Sequence, residues 1–204
     1  MRDPANIAGL VTAASPDYLG FIFYPQSKRF VGLKPLPEVL AVVPDAVKKV
    51  GVFVDETLGM VGMVSEQWKL DAVQLHGKES SEYCKQLKMK GLVVIKAFSV
   101  DESFDFTALE AYRQSCDFFL FDTKGHLPGG TGQKFNWQLL SNYQLDKPFF
   151  LSGGIGHDDL NAVREFGHPQ LLGIDINSGF EISPALKDVV SIRKFISEIR
   201  NNKS

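Results

Sequence analysis

The sequence contains little of what marks a membrane protein or a nucleic-acid-binding protein. No apolar run among its 204 residues approaches the roughly 20 residues that a membrane-spanning helix needs, and no secretory signal peptide is recognised. Lys and Arg number 22 against 24 for Asp and Glu, so the net charge is 22 − 24 = −2. We therefore expect no surface for nucleic acid and none for a membrane.

The sequence also contains few cysteines and histidines. The two cysteines, Cys84 and Cys116, form no CxxC pair, which argues against a disulfide framework and against the common metal-ligand spacings. The four histidines are scattered, and no HExxH motif occurs. These absences predict a protein without a metal site, in a reducing and cytoplasmic location.

The chain does contain a regular alternation of short apolar runs with helical stretches. The runs are continuous in Val, Ile, Leu and Phe, which is typical of parallel strands covered on both faces. The predicted strands are 18–24, 50–54, 72–75, 92–97, 117–122, 148–152 and 171–176. The predicted helices are 4–14, 35–44, 56–68, 79–89, 104–114, 136–143, 157–166 and 184–200.

Seven strands and eight helices predict an α/β fold made of a single domain over residues 1–204. The chain opens on a helix, with Asp3-Pro4 as its N-cap and first residue. A (β/α)8 barrel begins with a strand instead. The composition leaves two architectures open, namely an open α/β sheet and a barrel that lacks its first strand.

Two strand ends carry Ser-Gly turns that are typical of phosphate-binding loops. The first turn is Ser152-Gly153-Gly154 and the second is Ser178-Gly179, each after an apolar run. Glycine lets the backbone approach a ligand and point N–H groups at it. In TIM barrels the phosphate site is built from the loops after strands seven and eight. The alternative is a pair of ordinary glycine turns. The presence of two such turns, separated by one helix, favours the phosphate site over this alternative.

Further strings at strand ends give the chain a resemblance to a known family. They are Phe23-Tyr24-Pro25-Gln26-Ser27-Lys28-Arg29, Gln74-Leu75-His76-Gly77, Leu151-Ser152-Gly153-Gly154 and Asp175-Ile176-Asn177-Ser178-Gly179. In this order, from about residue 1 to 200, the chain resembles phosphoribosylanthranilate isomerase of tryptophan biosynthesis. The resemblance implies a (β/α)8 TIM-type barrel, here missing its first β-strand. It also implies a cofactor-free Amadori rearrangement of a phosphosugar, N-(5-phosphoribosyl)anthranilate.

The resemblance assigns the general acid to Asp122. This residue ends the apolar run Phe118–Phe121, and apolar surroundings favour the protonated carboxyl that a general acid needs. From the residues alone, an Asp that caps the next turn is an equal alternative.

The resemblance also suggests the groups that bind substrate. Arg29 has a planar fork that suits the anthranilate carboxylate, although a solvated Lys-Arg pair is the usual alternative. His76 is given a supporting role, since a lone histidine at a strand end is often structural. Asp175 is expected to bind substrate hydroxyls or to fix its own loop. The phosphate is assigned to Gly153, Gly154, Ser178 and Gly179.

The sequence departs from the family at the general base. The resemblance places that base, a cysteine in a Lys-x-Cys-Gly run, just before Arg2-Asp3, where these 204 residues do not contain it. Cys84 and Cys116 fall elsewhere and are interpreted as buried structural thiols. We expect impaired activity, because losing a catalytic base costs on the order of 10²–10⁴-fold. Unpaired strand edges could also support an oligomer.

Two other functions remain open at this point. The first is a non-catalytic barrel that binds phosphosugars, which the missing base favours and the retained Asp122 and Arg29 oppose. The second is another phosphate-binding barrel enzyme, such as a ribulose-phosphate epimerase or a tryptophan synthase α-like lyase. The epimerase needs metal-ligating His and Asp residues that are not found in the sequence. The Gly-rich stretch 129–132 lacks the Lys-Ser/Thr of a P-loop and is predicted to cover the substrate.

Overall fold

The computed structural model describes residues 1–123 and 136–200. Its main feature is a sheet of seven parallel strands in which each strand pairs with the next one along the chain. The strands are β1 (Tyr18–Ile22), β2 (Lys48–Phe53), β3 (Ala72–Leu75), β4 (Val93–Val100), β5 (Phe118–Thr123), β6 (Phe149–Leu151) and β7 (Leu171–Ile174). The seven strands predicted from the apolar runs are confirmed. The predicted covering loop at 129–132 lies outside the described residues.

The order of the strands shows that the sheet curls. In a doubly wound sheet the strand order reverses, so that helices cover both faces, but here it runs from β1 to β7 without reversal. Right-handed crossovers then place the helices on one face. Tyr18 in β1 and Phe150 in β6 meet with ring centroids 5.4 Å apart, although five strand spacings in a flat sheet span roughly 24 Å. The predicted barrel-type architecture is therefore confirmed.

The helices follow the predicted alternation. They are α1 (Pro4–Ala14), α2 (Pro37–Ala41), α3 (Leu58–Gln67), α4 (Ser81–Met89), α5 (Leu160–Glu165) and α6 (Val189–Arg200). Asp3 caps α1 as predicted, accepting a hydrogen bond from the Asn6 N–H at 2.6 Å. None of the helices in the described part of the chain is long and apolar enough to cross a membrane.

Two predicted helices form 3-10 turns instead of α-helices. These segments are Phe106–Tyr112 and Trp137–Asn142. Each begins at an Asp or Asn, Asp105 and Asn136, whose side chain accepts from the N–H two residues further on, at 2.9 and 3.0 Å. Such local bonds favour a tight turn over regular helix.

The predicted last helix begins later than the sequence suggested. Residues 181–187 form a short antiparallel hairpin of β8 (Glu181–Ser183) and β9 (Leu186–Lys187), with Ala185 at a left-handed φ of 71° in the turn. Asp188 then caps α6 by accepting from the Ser191 N–H at 3.1 Å. The predicted start of this helix at residue 184 is wrong, because the turn there is held by the Glu181 carboxylate, which accepts from the Ala185 N–H at 3.2 Å.

Two apolar clusters lie on the two faces of the sheet. The inner cluster consists of Val50, Ala72, Ile95, Ala97, Leu120 and Phe150. The outer cluster is much larger and joins the sheet to the helices, with Trp68, Phe119 and Phe121 fully buried in it. Side chains thus fill the inside of the curved sheet, which leaves its ends for ligands.

The two edges of the sheet are brought together on the helix side. Within the described residues β1 and β7 do not pair with each other, but α1, before β1, packs against α6, after β7. Asn6 in α1 makes two hydrogen bonds of 2.9 Å with the backbone of Lys187 in β9. These contacts hold the curvature that positions the strand ends.

Candidate active site

The residues predicted for the site lie at one end of the curved sheet. Asp122 is the second-to-last residue of β5, His76 directly follows β3, and Asp175 directly follows β7. Gly153 follows β6 by one residue, and Arg29 is in the longer loop after β1. Because parallel strands end together at one edge, these side chains meet at one mouth of the sheet.

A chain of hydrogen bonds links three of these strand ends. His76 Nε2 lies 3.0 Å from Asp122 Oδ2, and His76 Nδ1 lies 3.1 Å from Gln74 Oε1. The side-chain amide of Gln74 also hydrogen-bonds Asp175. The second oxygen of Asp122 accepts from the Thr123 N–H at 2.8 Å. The His76 and Asp122 side chains are only 14% and 15% exposed, so they are screened from water but open to a ligand.

The same hydrogen bonds determine where the proton lies on the His76 ring. Only the amide nitrogen of Gln74 can donate to the Asp175 carboxylate, so its Oε1 remains to accept from His76 Nδ1–H. In the neutral ring Nε2 then carries no hydrogen and faces the Asp122 carboxyl. The His76 Nε2 lone pair of that ring is then directed at Asp122 Oδ2, 3.0 Å away.

Asp175 is a second carboxyl group in this mouth. Burial, and then the nearby Asp122 charge, raise the pKa of Asp175 above its ordinary value. The charges of Lys187 and His76 and the Gln74 hydrogen bond oppose this shift without cancelling it. The two carboxyls thus differ in environment, which is the usual basis for giving paired acids different tasks.

The two Ser-Gly turns lie against each other. A Cβ on Gly179 would fall within contact distance of the Ile155 carbonyl oxygen and 3.0 Å from Gly156 Cα, so only glycine fits there. Gly153 and Gly154 have left-handed φ values of 95° and 67°. The two Ser-Gly turns after β6 and β7 thus form one unit, the cradle, whose binding of phosphate stays a prediction.

The cradle also adjoins the carboxyl of Asp122. A Cβ added to Gly153 would stand 3.1 Å from Asp122 Oδ1. The sequence could not show this contact, which places the first Ser-Gly turn directly beside the predicted acid.

Arg29 is held by a carboxylate that sequence reasoning missed. Its Nε and Nη2 donate to Glu181 Oε2 at 2.9 and 2.7 Å, which leaves the Nη1 side of the guanidinium free of this partner. Burial opposes the charge on Glu181, but the hydrogen bonds from Arg29 and the charge of Lys187 outweigh it and hold the pKa of Glu181 below its ordinary value.

Lys187 joins this cluster from β9. Its ammonium donates to Asn177 Oδ1 at 2.6 Å, to the Asn177 carbonyl at 3.0 Å and to Glu181 Oε1 at 3.2 Å. Burial lowers the pKa of Lys187, although the Glu181 charge opposes the shift. Sequence reasoning missed Lys187 because it lay in the predicted helix 184–200, and it missed Glu181 because that residue lay in no predicted element.

Neither cysteine lies at the mouth. Cys84 in α4 and Cys116, which precedes β5, are both fully buried, and their thiols hydrogen-bond each other. That hydrogen bond and burial raise the pKa of Cys116. Among the described residues no group of three or more His, Cys, Asp or Glu side chains is arranged to hold a metal ion.

Comparison with known proteins gives a consistent family. The family model described as N-(5'-phosphoribosyl)anthranilate (PRA) isomerase matches residues 1–198. The isomerase of that name from Parabacteroides distasonis is 44% identical over 200 residues, covering 98% of this chain and 90% of the relative. The one from Phocaeicola vulgatus is 41% identical, covering 98% and 95%.

Solved structures agree with the sequence relatives. Phosphoribosyl anthranilate isomerase from Thermotoga maritima superposes with a TM-score of 0.85 at 31% identity, covering 98% of this chain and 96% of that one. A phosphoribosyl anthranilate isomerase structure in complex with reduced 1-(o-carboxyphenylamino)-1-deoxyribulose 5-phosphate superposes with a TM-score of 0.82 at 30% identity, covering 98% and 95%. The chain belongs to the N-(5'-phosphoribosyl)anthranilate isomerase family.

Proposed function

We propose that this chain catalyses the Amadori rearrangement of N-(5-phosphoribosyl)anthranilate to 1-(2-carboxyphenylamino)-1-deoxyribulose 5-phosphate, with Asp122 as the general acid. The observation that carries the proposal is the 3.0 Å contact of Asp122 Oδ2 with His76 Nε2, in a mouth where Gly153 adjoins the other Asp122 oxygen. An acid with an exchangeable proton thus stands beside a turn suited to phosphate.

The acid acts first in this reaction. Asp122 gives its proton to the ribose ring oxygen, and the C1–O bond breaks to leave a Schiff base at C1. A base then removes the proton from C2, and the resulting enolamine tautomerises to the aminoketose. His76 Nε2 lies 3.0 Å from Asp122 Oδ2, which is close enough to pass a proton to the acid between turnovers.

Three further groups bind the substrate in this proposal. The backbone of Gly153, Gly154, Ser178 and Gly179 binds the phosphate. The free Nη1 side of Arg29 binds the anthranilate carboxylate, because Glu181 already occupies the Nε side. Asp175, linked through Gln74 to His76, accepts from ribose hydroxyls.

Replacing Asp122 by Asn tests the acid. We expect kcat, followed by the fluorescence decay of phosphoribosylanthranilate, to fall by about 10²–10⁴-fold. Affinity for the reduced product analogue should change little, because Asn keeps the size of the side chain and a hydrogen bond to His76. Unchanged turnover in Asp122→Asn would remove Asp122 as the acid. A loss of analogue binding equal to the loss of turnover would make it a binding group instead.

A second function, phosphosugar binding without chemistry, is favoured by one observation. Both cysteines are fully buried away from the mouth, so neither can act as the C2 base. The two functions are separated by single-turnover measurement with the 204-residue polypeptide at saturating substrate. Analogue binding with no decay of substrate fluorescence supports the binder, whereas decay at a rate that Cys84→Ser and Cys116→Ser leave unchanged supports an isomerase with another base.

We also propose the broader properties that accompany this function. Residues 1–204 form one domain, in line with the family match over 1–198. The protein acts in the cytoplasm on a small phosphosugar without a cofactor, away from membranes and nucleic acid. The edge strands β1 and β7, which do not pair with each other within the described residues, offer a route to an oligomer, which sedimentation of the purified protein would reveal.

A further inference from the structure

A buried ion pair lies just outside the mouth, on the helix side of the sheet. Lys96 in β4 and Glu79 before α4 are 3.2 Å apart, with side chains only 3% and 2% exposed. The Lys96 ammonium also stands 5.2 Å from the centre of the Phe98 ring. Burying two charges costs free energy that their attraction does not reliably return, so such a pair is weak grounds for stability. The role of the pair must therefore be sought in the backbone groups that Lys96 and Glu79 bind.

The ammonium of Lys96 holds the backbone on both sides of His76. It donates to the Leu75 carbonyl at 3.1 Å and to the Gly77 carbonyl at 2.8 Å, in addition to the Ala97 carbonyl at 2.8 Å. The residue between the first two carbonyls is His76. One buried cation thus fixes the start and the end of the peptide segment that carries the imidazole.

Glu79 holds the same turn from its N–H side. Its carboxylate accepts from the Gly77 N–H at 3.0 Å and from the Asp55 N–H at 2.9 Å. Asp55 in turn accepts from the Lys78 N–H at 2.6 Å. A Cβ on Gly77 would lie 2.6 Å from Asp55 N, so the turns after β2 and β3 are in close contact. The segment has little room to move.

The His76 ring needs this restraint. It spans a fixed width between Gln74 Oε1 and Asp122 Oδ2, at 3.1 and 3.0 Å. A backbone displacement of about 1 Å would lengthen one of the two hydrogen bonds beyond useful range, and misplacements of this size cost catalysis heavily.

We propose that Lys96 and Glu79 are positioning residues, which keep His76 within hydrogen-bond reach of Asp122. The inference rests on the proposed role of Asp122 as the acid. Neither Lys96 nor Glu79 touches the substrate, because both side chains are enclosed between the sheet and the helices. They act on the reaction only through the His76 backbone.

The test uses a variant that removes both charges and keeps their volume, Lys96→Met with Glu79→Gln. Removing one charge alone would leave the other buried and unpaired, which is expected to unfold the protein. The first readout is the ring of His76, whose two nitrogens are followed by long-range 15N NMR. We expect both ring-nitrogen signals to move toward those of a solvated imidazole, in a protein that keeps its far-UV circular dichroism.

The second readout is coupling to His76 in turnover. We expect the double variant to lower kcat by about 10-fold with less than a 3-fold change in KM. In a His76→Asn background the same double change should lower kcat by less than 2-fold, because the group that it positions is gone. A merely structural pair would lower kcat equally in both backgrounds. That result, or ring nitrogens that do not move, would overturn the proposal.

A matched control lies at the opposite end of β4 and β5. Asp117 accepts from the Val94 N–H at 2.8 Å and pairs with Lys88 at 2.8 Å. Asp117→Asn should lower the melting temperature and leave the His76 ring signals and kcat unchanged. The ring signals need no turnover, so the positioning role is tested even if Asp122→Asn shows that another group is the acid.

Discussion

At the scale of single residues, Arg29 must serve two carboxylates at once. Glu181 takes its Nε and Nη2 at 2.9 and 2.7 Å, and the substrate carboxylate is proposed to take the Nη1 side. Lysine keeps the charge but has one compact ammonium in place of the fork. Arg29→Lys should therefore weaken binding of the reduced product analogue by about 10- to 100-fold, since one charged hydrogen-bonded contact is worth about 1.5–3 kcal/mol. Isothermal titration calorimetry with the reduced product analogue measures this affinity.

The control for that change is the neighbouring Lys28, which is exposed. Lys28→Met should leave the analogue affinity within 2-fold, because a solvated cation contributes little to a bound ligand. Equal losses in the Lys28 and Arg29 variants would mean that net charge, and not the fork of Arg29, attracts the ligand.

Asp175 makes stability depend on pH. Burial and the Asp122 charge raise its pKa, so the folded protein holds this proton more tightly than the unfolded chain does. The free energy of unfolding contributed by Asp175 is thus fully present at acid pH and is lost as the pH rises through the raised pKa. Above that pH the folded state contains a carboxylate that it disfavours.

Asp175→Asn should therefore raise the melting temperature at neutral pH, with a gain that shrinks as the pH falls through the raised pKa and vanishes near the ordinary aspartate pKa. Analogue affinity should fall in the same variant, because an amide replaces the proposed acceptor for ribose hydroxyls. Calorimetric melting curves from pH 4 to 8 measure the first effect. A variant that is less stable than the parent at neutral pH would show that Lys187 and His76 outweigh burial.

Sequence reasoning succeeded for residues fixed by strand ends and failed for those fixed by a distant loop. Asp122 and His76 come together because parallel strands end at one edge, which their positions already implied. Glu181 binds Arg29 across 152 positions of sequence. It lies in a hairpin whose second half was predicted to be the start of a helix. Helical periodicity in 184–200 is real, but the Glu181 carboxylate and the Asp188 cap decide where the helix begins.

At the scale of elements, the loops after β6 and β7 form one unit because Gly179 lets them touch. Gly179→Ala would place a methyl group against the Ile155 carbonyl and 3.0 Å from Gly156 Cα. We expect the loops to separate, at a cost of about 1–3 kcal/mol in the free energy of unfolding. Binding of inorganic phosphate should weaken by at least 10-fold, because the cradle N–H groups diverge.

Gly59→Ala is the matched control for this glycine. Gly59 is in α3, and an added Cβ there meets nothing within 4 Å. Gly59 is the second residue of α3, so alanine there should stabilise the protein by about 0.4–1 kcal/mol and leave phosphate binding unchanged. If Gly179→Ala binds phosphate as tightly as the parent, the cradle does not lie between these two loops.

At the scale of the whole molecule, the sequential strand order explains why the fold could be predicted while its closure could not. Alternating strands and helices imply a sheet with helices on one face or both, and the two Ser-Gly turns favour the barrel. How the two edges of the sheet meet depends on side chains at opposite ends of the chain. The hydrogen bonds of Asn6 with Lys187 join residues 181 positions apart, and no local sequence pattern predicts them.

Those hydrogen bonds give the last prediction. Asn6 both donates to the Lys187 carbonyl and accepts from the Lys187 N–H, each at 2.9 Å. Asn6→Ala leaves both backbone groups without this partner, so the free energy of unfolding in urea should fall by about 1–3 kcal/mol. Arg200 links α6 to the segment after α1 through exposed bonds to the Ser15 carbonyl at 3.0 Å and to Asp17 Oδ2 at 3.1 Å, and Arg200→Met should cost less than about 1 kcal/mol. If the two variants lose equal stability, apolar packing of α1 on α6 holds the edges together, and the Asn6 bonds only align them.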